Sequence, residues 1–194
     1  MIQNLKHGSL LIYDTEWTSW AGFLESNLTQ PGRYPEIIQI GAVKLDIADG
    51  FRETGSFMRY IRPKVNPELS DYIIELTGIT QNAIDEQGKP FPEVLSAFVE
   101  FIEDDFAVLM PYGVDGEIVA RNCALNDIQV PDVFKKERDL RQFLLDLELV
   151  DNSQVSSDLP RYFGLPDEEL SHDALGDSRS LANVIRHLRE TGKI

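Results

Sequence analysis

Leu10-Leu11-Ile12-Tyr13 forms a short, unbroken apolar block within residues 8–14 and reads as a first, buried strand. Residues 36–46, Glu36-Ile37-Ile38-Gln39-Ile40-Gly41-Ala42-Val43-Lys44-Leu45-Asp46, are rich in β-formers and read as a second strand. Asp49-Gly50 is a strong hairpin signal, so residues 51–61 return antiparallel and end at Pro63. The polar residues 26–35, with Pro31-Gly32, are a loop.

After Pro67 the apolar period changes to that of a helix. Leu69, Tyr72, Ile73 and Leu76 recur at helical spacing, and Gly78 stops the run. Thr80 suits the cap of a second short helix through Ala83 and Ile84. Residues 92–103 are amphipathic, with Val94, Leu95, Phe98, Val99 and Ile102 on one face. Phe106–Met110 reads as a short buried strand. Helices are expected at residues 113–124, 140–149, 157–163 and 173–189, the last with the apolar stripe Leu175, Leu181, Ala182, Ile185 and Leu188. Strands linked by a crossover helix run parallel. The order predicts an α/β fold: a mixed β-sheet, an antiparallel hairpin plus parallel strands, flanked by helices. One domain over residues 1–194 is expected, with no linker, repeat or low-complexity segment.

Composition narrows the class. The 194 residues suffice for one real core, and 42% hydrophobic with 26% charged residues is ordinary for a globular protein. Cys123 stands alone, so neither an internal disulfide nor a cysteine-based zinc site is expected. Residues 1–8 lack a signal-peptide stretch, and no apolar run approaches the roughly 20 residues of a membrane span. A cytoplasmic protein without a membrane partner is the expectation. Eighteen basic against 33 acidic residues give a net charge of −15, which argues against a broad surface tracking nucleic-acid phosphates. Such a charge is compatible with an enzyme that holds a strand end through bound metals.

Asp14-Thr15-Glu16 follows the first apolar block directly. In a strand, side chains alternate faces, so Asp14 and Glu16 point the same way, about 7 Å apart. Paired carboxylates at a buried strand need positive compensation, for which divalent cations serve. Asp115 follows the strand at Phe106–Met110 and stands at a helix start, where it suits an N-cap or a ligand. His172 and Asp177, in Ser171-His172-Asp173-Ala174-Leu175-Gly176-Asp177, open the last helix. There His172 reads as a surface histidine or a base, Asp173 as a cap, and Asp177 as a helix-dipole partner or a ligand. Five helical residues turn about 500°, so His172 belongs before the helix and Asp177 in its early turns. Strand ends and helix starts converge on one rim in a strand-centred fold.

Together these motifs resemble the DEDDh-type 3′–5′ exonucleases, the DnaQ-like group with the ribonuclease-H-like fold. Asp14, Glu16 and Thr18 match the first motif. Gly113 and Asp115 match the second. His172 and Asp177 match the His-x-x-x-x-Asp third. Glu36-Ile37-Ile38-Gln39-Ile40-Gly41-Ala42-Val43 and Glu75-Leu76-Thr77-Gly78-Ile79 also resemble family segments, so the likeness spans residues 10–188. Tyr112-Gly113-Val114-Asp115 through Cys123, with Pro131, is most similar to the RNA-trimming branch. Two departures bear on substrate preference: Leu170-Ser171 stand where a glycine often precedes the histidine, and the loop between Trp17 and Pro35 is long.

The resemblance implies that Asp14, Glu16, Asp115 and Asp177 hold two Mg²⁺ or Mn²⁺ ions and that His172 is the general base. The implied substrate is a single-stranded RNA or DNA 3′ end, cut stepwise to nucleoside 5′-monophosphates. Leu76, Thr77 and the backbone around Trp17 and Thr18 resemble the part that grips the terminal nucleotide, although Leu76 also reads as core. Trp17 and Trp20 suit stacking on bases or covering the sheet. A DNA-proofreading exonuclease is a second reading, disfavoured because no polymerase-binding tail follows the last helix. An inactive binding module is a third, disfavoured because every matched acid is retained. A Ca²⁺-binding protein is a fourth, disfavoured because no EF-hand loop occurs.

Overall fold

The computed structural model describes residues 7–23, 25–102, 106–166 and 173–194; Ser171 and His172 lie outside the described residues. Among the described residues, four strands form one sheet in the order β3-β2-β1-β4. They are β1 (Ser9–Trp17), β2 (Ile37–Asp46), β3 (Arg52–Tyr60) and β4 (Phe106–Met110). β1 pairs antiparallel with β2 and parallel with β4, and β2 pairs antiparallel with β3. The mixed sheet expected from the element order is therefore present, with the crossover through α1 (Asp71–Thr77), α2 (Gln81–Gln87) and α3 (Phe91–Ile102) making β4 parallel to β1. The remaining helices are α4 (Asp115–Leu125), α5 (Leu140–Asp146), α6 (Leu159–Tyr162) and α7 (Ala174–Glu190). No helix among the described residues is long and apolar enough to cross a membrane.

Alternation along β1 divides the core in two. Leu10 and Ile12 face the layer containing α7, where Leu181, Ile185 and Leu188 meet them. Leu11 and Tyr13 face α3 and α4, against Val94, Leu95, Phe98, Ile118 and Val119. Both faces of the central strands are covered, which is why they read as continuous apolar runs. Asn122 ties α4 to the sheet: its amide oxygen accepts from Ile37 N (3.1 Å), and its amide nitrogen donates to the Pro35 and Ile118 carbonyls (both 2.9 Å).

Several elements differ from expectation for identifiable reasons. β1 continues to Trp17 rather than stopping at Asp14, because Asp14 and Glu16 pair with Gly41 and Gln39 of β2 before a bulge at Glu16/Trp17. α5 ends at Asp146 and not at residue 149, since Glu148 adopts a left-handed conformation (φ 57°) that reverses the chain. The helix expected at residues 157–163 divides into a 3₁₀ turn, Ser156–Asp158, and the short α6. In α1, Leu69 before the helix and Ile73 are buried, whereas Tyr72 and Leu76 are 37% and 39% exposed, so Leu76 is not core.

Candidate active site

One strand and two helices bring the acids together. Asp14 and Glu16 share the α7-facing side of β1. α7 is capped by Asp173, whose side chain accepts from Gly176 N (3.0 Å), and one turn later it supplies Asp177. One carboxylate oxygen from each of Asp14, Glu16 and Asp177 lies within 4.8 Å of the others. All three are buried, at 8%, 9% and 8% exposure.

Asp115, at 6% exposure, begins α4 but does not cap it; Val114 holds the cap position without a side-chain bond. The carboxylate instead turns to β1. Its Oδ1 accepts from Thr15 N (3.0 Å) and from the Thr15 hydroxyl (2.5 Å). Thr15, between the two strand acids, thus fixes the third acid from the adjacent chain position. Both bonds fall on one oxygen, so Oδ2 stays uncommitted by them.

The electrostatics are those of a crowded anionic pocket. Burial, then Asp115, Glu16 and Asp177, hold the Asp14 carboxyl well above the usual range. Burial, then Asp177 and Asp115, push Glu16 up to about 9. Burial also raises Asp115, but the Thr15 hydrogen bonds oppose it and leave it at about 7. None of the ion pairs between described residues reaches Asp14, Glu16 or Asp115. An all-oxygen, carboxylate-rich set of this kind fits hard divalent cations such as Mg²⁺ and Mn²⁺. Asp14, Glu16 and Asp177, with Asp115 beside them, are the residues able to hold such ions.

A further carboxylate stands behind this group. Glu137 runs beside β4 through a single bridge to Leu109 and accepts a hydrogen bond from the buried Tyr13 hydroxyl (2.6 Å). Burial raises the Glu137 carboxyl above its usual range. Neither Glu137 nor Thr15 nor Gln39 is apparent as a site residue in the sequence. The one readable signal is a polar Gln39 inside an apolar strand, at the position paired with Glu16.

The remaining sequence candidates have mixed surroundings. The Thr18 hydroxyl is consumed by the fold, donating to Tyr34 O (2.7 Å) and accepting from Glu36 N (2.9 Å). The Thr77 hydroxyl donates to Ile73 O (2.7 Å) and accepts from Ile79 N (3.1 Å), closing the end of α1. Trp17 is half-buried against the Leu11–Tyr13 side of the core. Trp20 stacks edge-on against Phe23, with the Arg33 guanidinium 5.0 Å over its ring. Leu76 keeps an exposed apolar surface.

Known proteins are similar to this chain in sequence and fold. The sequence is 27% identical over 205 residues to the 3′-5′ exonuclease crn-4 of Caenorhabditis elegans, covering 98% of this chain and 66% of that protein. It is 26% identical over 192 residues to 3′-5′ exoribonuclease 1 of Rattus norvegicus, covering 94% of this chain and 53% of the relative. The chain thus spans between half and two thirds of the length of these curated relatives. Among solved structures, the nuclease domain of 3′hExo, a DEDDh family member bound to rAMP, superposes with a TM-score of 0.84 at 26% identity, over 96% of this chain and 94% of that one. The family described as Exonuclease (RNase_T) matches residues 11–185, and on that match, with the fold and the acid cluster described above, the chain belongs to the exonuclease family and to its DEDDh nucleases.

Proposed function

We propose that residues 1–194 form a single catalytic domain that removes nucleotides from the 3′ ends of single-stranded nucleic acid, with RNA the favoured substrate. One observation carries this reading: Asp14, Glu16 and Asp177 offer carboxylate oxygens within 4.8 Å of one another, and all three side chains are buried. Retention of all four matched acids supports an active enzyme over a binding module. The names of the relatives, an exonuclease and an exoribonuclease, support the polarity and the RNA preference.

Two divalent cations, when bound, would supply Lewis-acid polarisation of the phosphodiester and a lowered pKa for water. Asp14, Glu16, Asp115 and Asp177 would hold them. Thr15 keeps Asp115 turned toward β1, with both of its bonds on Oδ1. His172 accepts the proton of the attacking water; an unperturbed imidazole titrates near pH 6.5 and is mostly neutral at pH 7.5. Leu76 lies against the terminal base or sugar, and Thr77 sets the end of α1 on which it stands. The backbone at Trp17 and Thr18, fixed by the Thr18 hydroxyl bonds, borders the same end of β1. The product is a nucleoside 5′-monophosphate.

Labelled RNA and DNA oligonucleotides of matched sequence, incubated with Mg²⁺ or Mn²⁺ and with or without chelator, test this reading. A ladder shortening from the 3′ end, abolished by chelator and by Asp14→Asn, is the expected result. Intact substrate under every metal condition would overturn it.

A further inference from the structure

We propose that Gln39 is a positioning residue for the acidic site, acting through Asp173 at the start of α7. The inference rests on the reading that Asp177 and His172 serve catalysis. Gln39 is fully buried in β2, opposite Glu16 on β1. Its amide nitrogen donates to Asp173 Oδ1 (2.8 Å), and its amide oxygen accepts from Ala174 N (2.9 Å). The other Asp173 oxygen accepts from Gly176 N (3.0 Å). One carboxamide therefore uses its donor on the cap and its acceptor on the first helical amide.

This places the first turn of α7 against the strand that lies beside β1. Asp177 follows Asp173 by one turn, and His172 immediately precedes it in sequence. Two residues along the same strand, Gly41 O accepts from the Ser178 hydroxyl (3.1 Å), so alternate positions of β2 grip the helix at two points. The grip is selective for a neutral amide. A carboxylate at position 39 has no donor for Asp173 and adds repulsion beside Glu16. A leucine removes the donor to Asp173 Oδ1 and leaves the buried Ala174 N–H without its partner. In either case the start of α7 shifts, and Asp177 moves relative to Asp14 and Glu16. Groups that orient metal ligands typically account for 10–100-fold in affinity or activity.

The polarity of the contact can be inverted. In Gln39→Glu with Asp173→Asn, the new asparagine amide donates to the new glutamate. Its oxygen still accepts from Gly176 N, and the second glutamate oxygen still accepts from Ala174 N. All three hydrogen bonds survive.

The test compares wild type, Gln39→Glu, Gln39→Leu and the inverted double variant as full chains. It measures kcat and KM on a single-stranded oligonucleotide, and Mn²⁺ affinity by calorimetry without substrate. Gln39→Glu and Gln39→Leu should lower kcat about 10–100-fold and weaken Mn²⁺ binding, with KM changed less than about threefold. The double variant should return kcat and Mn²⁺ affinity to within about threefold of wild type. Single variants that match wild type, or a folded double variant no better than Gln39→Glu, would overturn the inference. Should Gln39→Glu not fold, the double variant against wild type decides the matter by the same threefold margin. Should wild type cut neither RNA nor DNA, the proposed function fails, and the Mn²⁺ titration still reads whether the inverted pair restores the site.

Discussion

Gly41 of β2 and Leu175 of α7 meet backbone to backbone: a methyl group on Gly41 would come within 2.1 Å of the Leu175 nitrogen and 2.2 Å of the Ala174 carbonyl carbon. Backbone cannot yield as a flexible side chain can. Gly41→Ala should therefore destabilise the protein by about 3 kcal/mol, as overpacking of a close contact does. For a chain of this size, that lowers the melting temperature by about 6–12 °C. Thermal unfolding by circular dichroism checks the prediction, and a loss of nuclease rate at temperatures where the variant is folded would report the displaced Asp177.

The stability of the metal-free protein should fall with rising pH. Glu16 and Asp115 are raised to about 9 and about 7, and Asp14 is raised as well, so the folded state binds more protons than the unfolded one above pH ~4. The stability these protonated groups contribute is fully present below pH ~4 and is lost as pH climbs through 7 to 9. Melting scans in chelator from pH 5 to 9 should show the decline. Asp14→Asn should flatten it and raise the melting temperature at pH 8, and saturating Mg²⁺ should reverse it in the wild type.

Thr15→Val keeps the shape of the side chain and removes the hydroxyl that Asp115 accepts from. The main-chain bond from Thr15 N remains. A hydrogen bond to a charged group contributes about 1.5–3 kcal/mol, so the Mg²⁺ concentration for half-maximal rate should rise by about tenfold or more. A titration of rate against Mg²⁺ measures it; an unchanged midpoint would remove Thr15 from the site.

His172→Ala should retain Mn²⁺ binding and lose about 10²–10⁴ in kcat, the usual contribution of a general base. Calorimetry beside a single-turnover assay separates the two effects. Unchanged turnover would eliminate His172 as the base.

Leu76→Ala should alter stability by less than about 0.5 kcal/mol, because the side chain is 39% exposed. A several-fold rise in KM with little change in melting temperature would place its apolar surface against the substrate. A large drop in stability would return it to the core.

Much of this fold was readable from two periods. Alternating and continuous apolar runs marked β1 to β4, and helical spacing marked α3 and α7, because both helices bury one continuous stripe. The strand ends were harder. Acidic residues are poor strand formers, yet Asp14 and Glu16 extend β1 because β2 supplies partners for them. The acids themselves were legible as a set, since Asp14 and Glu16 follow an apolar run while Asp115 and Asp177 stand at helix starts. Their supports were not. Thr15 meets Asp115 across 100 residues and Gln39 meets Asp173 across 134, and neither pairing leaves a local pattern. Asp115 looked like a helix cap because caps and ligands favour the same residue type; only its turn toward Thr15 distinguishes them.

β3 forms one margin of the sheet, and a row of unpaired amides there invites other chains to add on. Its outward residues are Arg52, Thr54, Ser56 and Arg59, and the register slips between Lys44 and Leu45 of its neighbour. Charge along that margin and the irregular ladder between β2 and β3 discourage edge-to-edge stacking of copies. High protein concentrations should therefore leave this border free of fibril-like association.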